Sequence, residues 1–192
     1  AKGTARIIQA TISRGFNYWH VSFTVYERKR IPETHRNPGS VVGIDMGVGD
    51  HVIVAANPHG DEVMRRGLPT TISDHEKRIR HLQHKLSRKR GPDKRTKTAP
   101  SNRWIRANNQ VRKYHNTMAN VRRDFAAKAV HKLAKNYETV VIEDLNVRAM
   151  MTCSGAYKRG LNRAIAQASL ADLRQRITYK THWNGCLLYT SD

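Results

Sequence analysis

The chain has 192 residues, enough for one full domain and a small second piece. Lys and Arg number 35 against 15 Asp and Glu, a formal net charge of +20 with an isoelectric point near 10.6; such an excess calls for a polyanionic partner, nucleic acid ahead of a membrane surface. No stretch approaches the ~18 apolar residues of a membrane span, Ala1-Lys2-Gly3-Thr4 does not open a signal peptide, and the two cysteines, Cys153 and Cys186, offer no C-x-x-C metal pair and fit a reducing cytosol.

The chain lacks an initiator Met, which points to an N-terminus that is not a natural start. Residues 5–26 read as two antiparallel strands joined at Arg14-Gly15-Phe16-Asn17. In the second, Trp19, Val21, Phe23 and Val25 alternate with His20, Ser22, Thr24 and Tyr26, which gives one apolar face. A lone two-stranded hairpin is marginal, so this one reads as the tail of a larger β-domain. Glu27 to Ser40, with Pro32, Pro38 and Gly39 among charges, reads as a linker.

Val41-Val42-Gly43-Ile44-Asp45-Met46-Gly47-Val48 is an apolar strand with a carboxylate where the pattern calls for core. It turns at Gly47 and Gly49 into Val52-Ile53-Val54-Ala55-Ala56, and after Asn57-Pro58-His59-Gly60 the residues from Asp61 to Arg66 can return as a third strand, making a meander. A carboxylate buried without a partner is costly, so Asp45 calls for a cation, a hydrogen-bond donor or a metal ion, unless it simply caps a turn. Ser73-Asp74-His75-Glu76 has the form of a capping box, and Ile79, Leu82 and Leu86 follow at helical spacing until Gly91-Pro92. Pro100-Ser101 opens a longer helix in which Trp104, Asn108, Val111, His115, Met118, Val121 and Phe125 recur every three or four residues, continuing through Ala129 to Leu133. The two helices form an antiparallel hairpin with a narrow apolar seam.

From Lys77 to Arg123 there are sixteen Lys or Arg and one acid, Asp93. A solvated surface mixes both signs, so this bias points to phosphates. The candidate contacts are Arg88, Lys89, Arg90, Lys94, Arg95, Lys97, Arg103, Arg106, Arg112, Lys113, Arg122 and Arg123. Point charges on flexible stems set affinity and carry little sequence information. Thr139 to Ile142 then reads as a short, fully buried strand that runs into Glu143-Asp144, and Met150 to Lys158 reads as a loop. Leu161 to Thr181 reads as one amphipathic helix carrying Ile165, Leu170, Leu173 and Ile177 inward, ended by Gly185.

Asp45 and Glu143 each sit at the end of an apolar strand. If those strands are neighbours the carboxylates meet, and paired acids beside a basic surface suit divalent metal ions that hold a scissile phosphate, two such ions lying ~3.5–4 Å apart. Oxygen-only ligation favours Mg²⁺. His81 and His84, at i and i+3, have no partner in register and read as a solvated basic helix. Trp104, Tyr114 and Trp183 are candidate stacking platforms, Trp104 more readily a seam residue and Tyr114 open. Cys153 reads as a plain thiol in a polar loop. Asp144 is either a group that orients Glu143 or its metal, or the N-cap of the next turn.

The run Val-Val-Gly-Ile-Asp45-Met-Gly-Val, the basic helical hairpin, and Val-Val-Ile-Glu143-Asp-Leu-Asn-Val together resemble the first and second RuvC motifs of the TnpB/OrfB transposon-encoded nucleases, relatives of type V CRISPR effectors. The hairpin Ile7 to Tyr26 is similar to the end of that family's wedge β-barrel, and Asn162-Arg163-x-Ile165-Ala166-Gln167-Ala168-Ser169 to the helix after the second motif. The resemblance implies an RNase H-like (RuvC) α/β fold with a mixed sheet and an inserted basic helical hairpin, preceded by a wedge remnant. It implies RNA-guided, Mg²⁺-dependent cleavage of DNA, with Asp45 and Glu143 as catalytic metal ligands, DNA and guide RNA as partners, and a cytoplasmic, nucleoid-associated prokaryotic setting. The corresponding divisions are 1–31 for the wedge remnant, 32–40 for the linker, 41–185 for a partial nuclease domain with its insert at about 72–136, and 186–192 apart.

The family's third acidic motif and its zinc ribbon are absent, which implies an inactive fragment. Cys186-Leu187-Leu188-Tyr189-Thr190-Ser191-Asp192 also matches the translation of the mosaic-end adapter used in transposase-made sequencing libraries. It is expected to be non-biological, although Leu187 to Thr190 has strand propensity, so Asp192 is not recruited as the third acid. Two other classes compete: a non-catalytic nucleic-acid-binding protein, which needs only the charge, and an ATP-binding fold of the actin/sugar-kinase type, whose Gly-Ile-Asp-x-Gly loop normally continues with Thr or Ser where Val48-Gly49 stand here.

Overall fold

The computed structural model describes residues 5–15, 18–28, 30–152 and 158–191. The expected turn at Phe16-Asn17, the loop at Ser154-Gly155 with Cys153, and Asp192 lie outside the described residues. The chain divides into two compact units, Ala1–Arg30 with Thr70–Asn120 and Ile31–Pro69 with Val121–Asp192.

The first unit holds the expected hairpin, β1 (Arg6–Arg14) and β2 (Trp19–Tyr26). They pair antiparallel, Ile12 opposite Val21 and Ala10 opposite Phe23, with an irregularity between Ile7 and Gln9. Every residue of both strands is exposed, Trp19 and Phe23 included. Tyr18 and Asn116 share hydrogen bonds of 3.1 and 3.3 Å.

Two helices follow, α1 (Thr70–Ser87) and α2 (Asn102–Asn136). The capping box at Ser73 does not form: α1 begins three residues earlier, and the Ser73 hydroxyl donates back to the Thr70 carbonyl at 2.8 Å. Ser101 does cap α2, its Oγ accepting the Trp104 amide at 3.2 Å, which satisfies one of the free amides of the first turn. The seam of α2 also differs in detail. Ala107, Val111 and Met118 are buried and Tyr114 half-buried, while His115 is exposed and Asn108 only half-buried. The seam steps through 104, 107, 111, 114 and 118 where 104, 108, 111, 115 and 118 were expected; both series average 3.5 residues per step and differ only in phase, so periodicity alone does not choose between them.

The second unit is built on a five-stranded mixed sheet in the order β5-β4-β3-β6-β7. Its strands are β3 (Val41–Met46), β4 (Ile53–Ala56), β5 (Glu62–Arg66), β6 (Thr139–Glu143) and β7 (Leu187–Ser191). β3, β4 and β5 make the expected antiparallel meander. On the other side β6 lies parallel to β3, and β7 parallel to β6. The segment 186–192, expected to be a translated adapter, thus supplies the strand its propensity allowed, over Leu187–Ser191.

One face of this sheet carries the core. Val42, Ile44, Met46, Val140 and Ile142 point to it, joined by Ile53, Ala55 and Met64, and each large apolar side chain buried there contributes about 1.5–3 kcal/mol. Ala126, Ala129, Val130 and Leu133 of α2 belong to the same cluster. So do Ile165, Leu170, Leu173 and Ile177, as expected. β6 is not buried on both faces: Thr139 and Val141 are half-buried and Glu143 exposed, so the strand alternates in two-residue steps.

The expected single helix from Leu161 to Thr181 is two, α4 (Lys158–Ala168) and α5 (Leu170–Trp183), with α3 (Val147–Thr152) before them. The break falls at Ser169, whose backbone is left-handed (φ 52, ψ 43). Gly185, with φ +69, ends α5 where a Cβ would stand 2.5 Å from the Pro32 carbonyl oxygen, so only glycine fits. The segment read as a linker has structure of its own. His35 is buried, its Nε2 3.1 Å from the Ala134 carbonyl, and Asn37 Nδ2 donates to the Asn136 carbonyl at 3.0 Å. These bonds satisfy last-turn carbonyls of α2 that have no partner within the helix.

Candidate functional site

Asp45 and Glu143 lie on adjacent parallel strands, β3 and β6, in the second unit. The parallel register of β3 and β6 runs Val41↔Thr139, Val42↔Val140, Gly43↔Val141, Ile44↔Ile142, and Asp45 and Glu143 are the next residues of their two strands. Both fall on the odd side of a two-residue alternation whose even side is core, so both point to the same open face. Neighbouring strands lie about 4.8 Å apart, which puts the two carboxylates within reach of one cation. Both residues are exposed, a correction to the reading of Asp45 as a carboxylate at a core position: the apolar neighbours at 42, 44 and 46 face the other way. The row continues on both sides, with Val54 opposite Asp45, Arg65 opposite Val54, and Ser191 opposite Glu143.

Arg65 forms an ion pair with Glu62, its Nε 2.8 and 2.9 Å from the two carboxylate oxygens. The hydrogen bond holds the Glu62 carboxyl below its ordinary value and raises the Arg65 guanidinium, both at the solvent-exposed edge of the sheet. Among the described residues no group of three or more His, Cys, Asp or Glu gathers as a metal site, so the donors at this face are the two carboxylates. Mg²⁺ commonly takes one or two protein carboxylates and fills its other positions with water and substrate phosphate, so the donor set fits it.

Beside Glu143 the sequence left two roles open for Asp144. The structure assigns the cap of α3 to another residue, since Asn146 Oδ1 accepts the Ala149 amide at 2.9 Å. Asp144 instead pairs with Arg174 of α5 at 2.6 Å. The two line a groove of about 650 Å³ with Arg148, Gln175 and Tyr179. Arg174 and Arg148 were not singled out from the sequence; only the Asp144–Arg174 pair and the groove they share mark them.

The basic candidates divide between the units. Arg88, Arg90, Lys94, Arg95, Lys97, Arg103, Arg106, Arg112 and Lys113 are exposed in the first, and Lys89 is half-buried with its Nζ 3.1 Å from the Lys85 carbonyl. In the second, Arg123 is exposed and Arg122 half-buried. The aromatics are committed elsewhere. Tyr114 lies 4.9 Å from the His75 ring with Arg78 5.8 Å over its face, Trp104 packs against Gly91, and Trp183 lies 5.2 Å from Tyr179. His81 and His84 are exposed. Burial, with a smaller push from Glu138, raises the Cys186 thiol, so it is a poor nucleophile at neutral pH.

Sheet, insert and carboxylates define a class: a mixed α/β protein with a basic helical insertion and an acidic pair at the ends of adjacent parallel strands. The chain belongs to the TnpB/OrfB family, whose model OrfB_IS605, described as "Probable transposase", matches residues 22–154. Among its relatives, "Putative RNA-guided DNA endonuclease InsQ" of Escherichia coli K12 is 27% identical over 192 residues, covering 95% of this chain and 44% of the relative. A "Putative RNA-guided DNA endonuclease" of Streptomyces pristinaespiralis is 32% identical over 154 residues, 80% of this chain and 33% of the relative. A chain of the "Cryo-EM structure of the Cas12f1-sgRNA-target DNA complex" aligns at 16% identity and a TM-score of 0.48, over 94% of this chain and 41% of that one. The chain therefore spans less than half the length of the curated relatives it matches.

Proposed function

We propose that this chain is the core of a RuvC-type, RNA-guided DNA endonuclease with an RNase H-like fold, that Asp45 and Glu143 hold Mg²⁺ there, and that the chain by itself does not cut. The observation that supports the reading is the parallel register of β3 and β6, which pairs Ile44 with Ile142, the residues just before two carboxylates that are a hundred residues apart in sequence. The sheet order supports it, a three-stranded meander extended on the far side by two parallel strands. When bound, Mg²⁺ supplies charge neutralisation and an activated water for phosphodiester hydrolysis. The chain's own contribution is to hold two like charges on a rigid sheet, leaving the phosphate-facing side open. The exposed cations of the α1–α2 hairpin hold nucleic-acid backbone by charge. Guide RNA and DNA are its partners in this reading, in keeping with the names its curated relatives carry.

A non-catalytic, nucleic-acid-binding role is the second reading, favoured by the absence of a third acid beside the pair among the described residues. The two separate in a chimaera that carries residues 41–185 within a full-length relative, supplied with guide RNA, target DNA and Mg²⁺. Cleavage abolished by Asp45→Ala and by Glu143→Ala is the expected result; cleavage untouched by both substitutions sinks the catalytic role. The 192-residue chain alone is expected to give no guided cleavage, and efficient cutting by it would overturn the claim of inactivity.

A further inference from the structure

The connection between α1 and α2 carries the densest positive charge in the chain, and an acid stands in its middle. Asp93 and Thr98 exchange both backbone hydrogen bonds, each 3.1 Å, which closes residues 93–98 into a tight turn. The Asp93 carboxylate fills the inside of that turn. Its Oδ1 accepts the amides of Arg95 at 2.9 Å and Thr96 at 3.5 Å, and its Oδ2 accepts the Thr96 hydroxyl at 2.8 Å. Thr96 and Thr98 hydroxyls are 2.8 Å apart, and Lys97 takes a left-handed backbone (φ 54). The base of the connection is also held: the Ser101 amide donates to the Arg90 carbonyl at 3.0 Å, and Trp104 packs so closely on Gly91 that a Cβ there would stand 3.0 Å from the indole nitrogen. Lys94, Arg95 and Lys97 project from this frame into solvent.

We propose that the 93–98 turn is a preorganised phosphate clamp for the backbone of a base-paired nucleic-acid helix, with Asp93 the positioning residue that fixes the fan of Lys94, Arg95 and Lys97. The inference rests on the nucleic-acid-binding reading above and goes beyond it in naming the kind of strand and the residue that shapes the contact. A single strand is held by aromatic platforms on which bases stack. From Arg88 to Arg103 there is no aromatic residue, and Trp104 and Tyr114 are engaged within the hairpin. Charge without stacking fits phosphates whose spacing a duplex already fixes. An acid at the centre of such a patch weakens phosphate binding by simple Coulomb repulsion, so its place there calls for a gain from order: cations held in position lose less rotamer freedom on binding.

These two effects have opposite signs, and the test uses that. Binding of the whole chain to an RNA hairpin duplex, a DNA duplex of the same sequence, and an unpaired strand is measured by fluorescence anisotropy in EDTA, so that cleavage plays no part. Asp93→Ala adds a unit of positive charge yet is expected to weaken duplex binding about fivefold, from the cost of ordering the freed side chains. Asp93→Asn, which keeps the acceptor for both amides, is expected to stay within about twofold. Thr96→Val, which removes only the hydroxyl bond, is expected to fall between them, and it carries the test should Asp93→Ala disturb the helices by circular dichroism. Replacing Lys94, Arg95 and Lys97 together by Ala should lower the slope of log K against log salt by about 0.9 for each DNA phosphate that is no longer neutralised. A duplex preferred over the single strand supports the clamp, and the tighter of the two duplexes identifies its source. Equal or tighter binding by Asp93→Ala, or a single strand bound as tightly as a duplex, overturns it while leaving the general nucleic-acid reading in place; no binding to any strand removes both.

Discussion

In the proposed reading Asp45 and Glu143 serve a metal ion rather than stability. Like charges on neighbouring strands destabilise a sheet, and both of these are exposed at the ends of adjacent parallel strands. Asp45→Asn is therefore expected to stabilise the metal-free chain by about 0.2–1 kcal/mol, the range of cross-strand pair energies, read from urea unfolding in EDTA. Mg²⁺ should stabilise the wild type by RT ln(1 + [Mg²⁺]/Kd), about 1.4 kcal/mol at ten times Kd, with the gain absent in Asp45→Asn and reversed by EDTA. A Mg²⁺ effect of equal size in both proteins would mean that the ion binds elsewhere. Asp93 shows a carboxylate in the opposite circumstance, with its charge satisfied. The Thr96 hydroxyl first, then the Arg95 amide, hold its carboxyl below the ordinary 3.8. The folded value lies below the unfolded one, so the turn's share of stability is complete above 3.8 and is lost as pH falls through the lowered value. Amide shifts of Arg95 and Thr96, followed by NMR on acidification, should titrate with a midpoint under 3.8; a midpoint at or above it would show that the carboxylate does not hold the turn.

Among the elements, the break at Ser169 is the sharpest departure from what periodicity gives. Ile165, Leu173 and Ile177 keep helical spacing across it, and the Leu173 amide still bonds the Ser169 carbonyl at 3.0 Å, so the apolar pattern reads straight through a left-handed residue. Serine there costs about 1–2 kcal/mol that glycine does not, while glycine costs about 0.5–1 in unfolded-chain entropy. Ser169→Gly should consequently stabilise the chain by about 0.5–1 kcal/mol, and Ser169→Val should destabilise it by about 1–2 kcal/mol, in chemical denaturation; the Ser169 hydroxyl donates to the Ala166 carbonyl at 3.3 Å, and destabilisation by glycine would mean that this bond matters more than the backbone strain. The same limit explains what else the sequence showed and hid. The meander, β6 and the Ser101 cap were legible because each is written in residues close together or in two-residue alternation. Which way Asp45 points was not, because a charge within an apolar strand can be read as a core exception or as the start of an open face, and only the helices packed on the even side decide. The choice of Ala107 and Tyr114 over Asn108 and His115 turns on half a residue of helical phase. The Asp144–Arg174 pair and the His35–Ala134 bond join residues 30 and 99 positions apart, distances at which no local pattern carries information.

At the scale of the whole molecule the charge imbalance governs. Thirty-five cations against fifteen anions leave at least twenty with no acidic counterpart by number alone, so the folded chain repels itself, and salt should relieve that repulsion. The Debye length shrinks from about 14 Å at 50 mM to about 4 Å at 500 mM, and self-repulsion at low salt is a cost to any compact state. Exposed ion pairs such as Lys128–Asp124 weaken with salt too, but pairs of this kind are worth about 0–1 kcal/mol each and are outnumbered. The melting temperature of the free chain is therefore expected to rise with NaCl over that range, whereas binding to a polyanion falls over the same range as released counterions lose their advantage. Heparin offers the cleanest reading, since it brings charge without base pairs or sequence. At about 50 mM salt it should raise the melting temperature well above that of the free chain, and at about 500 mM the difference should close from both sides, one curve climbing and the other falling. A melting temperature that drops with salt in the free chain would show that attractive pairs, not the surplus of cations, set its electrostatics, and the case for a phosphate-facing surface would then have to rest on the α1–α2 hairpin alone.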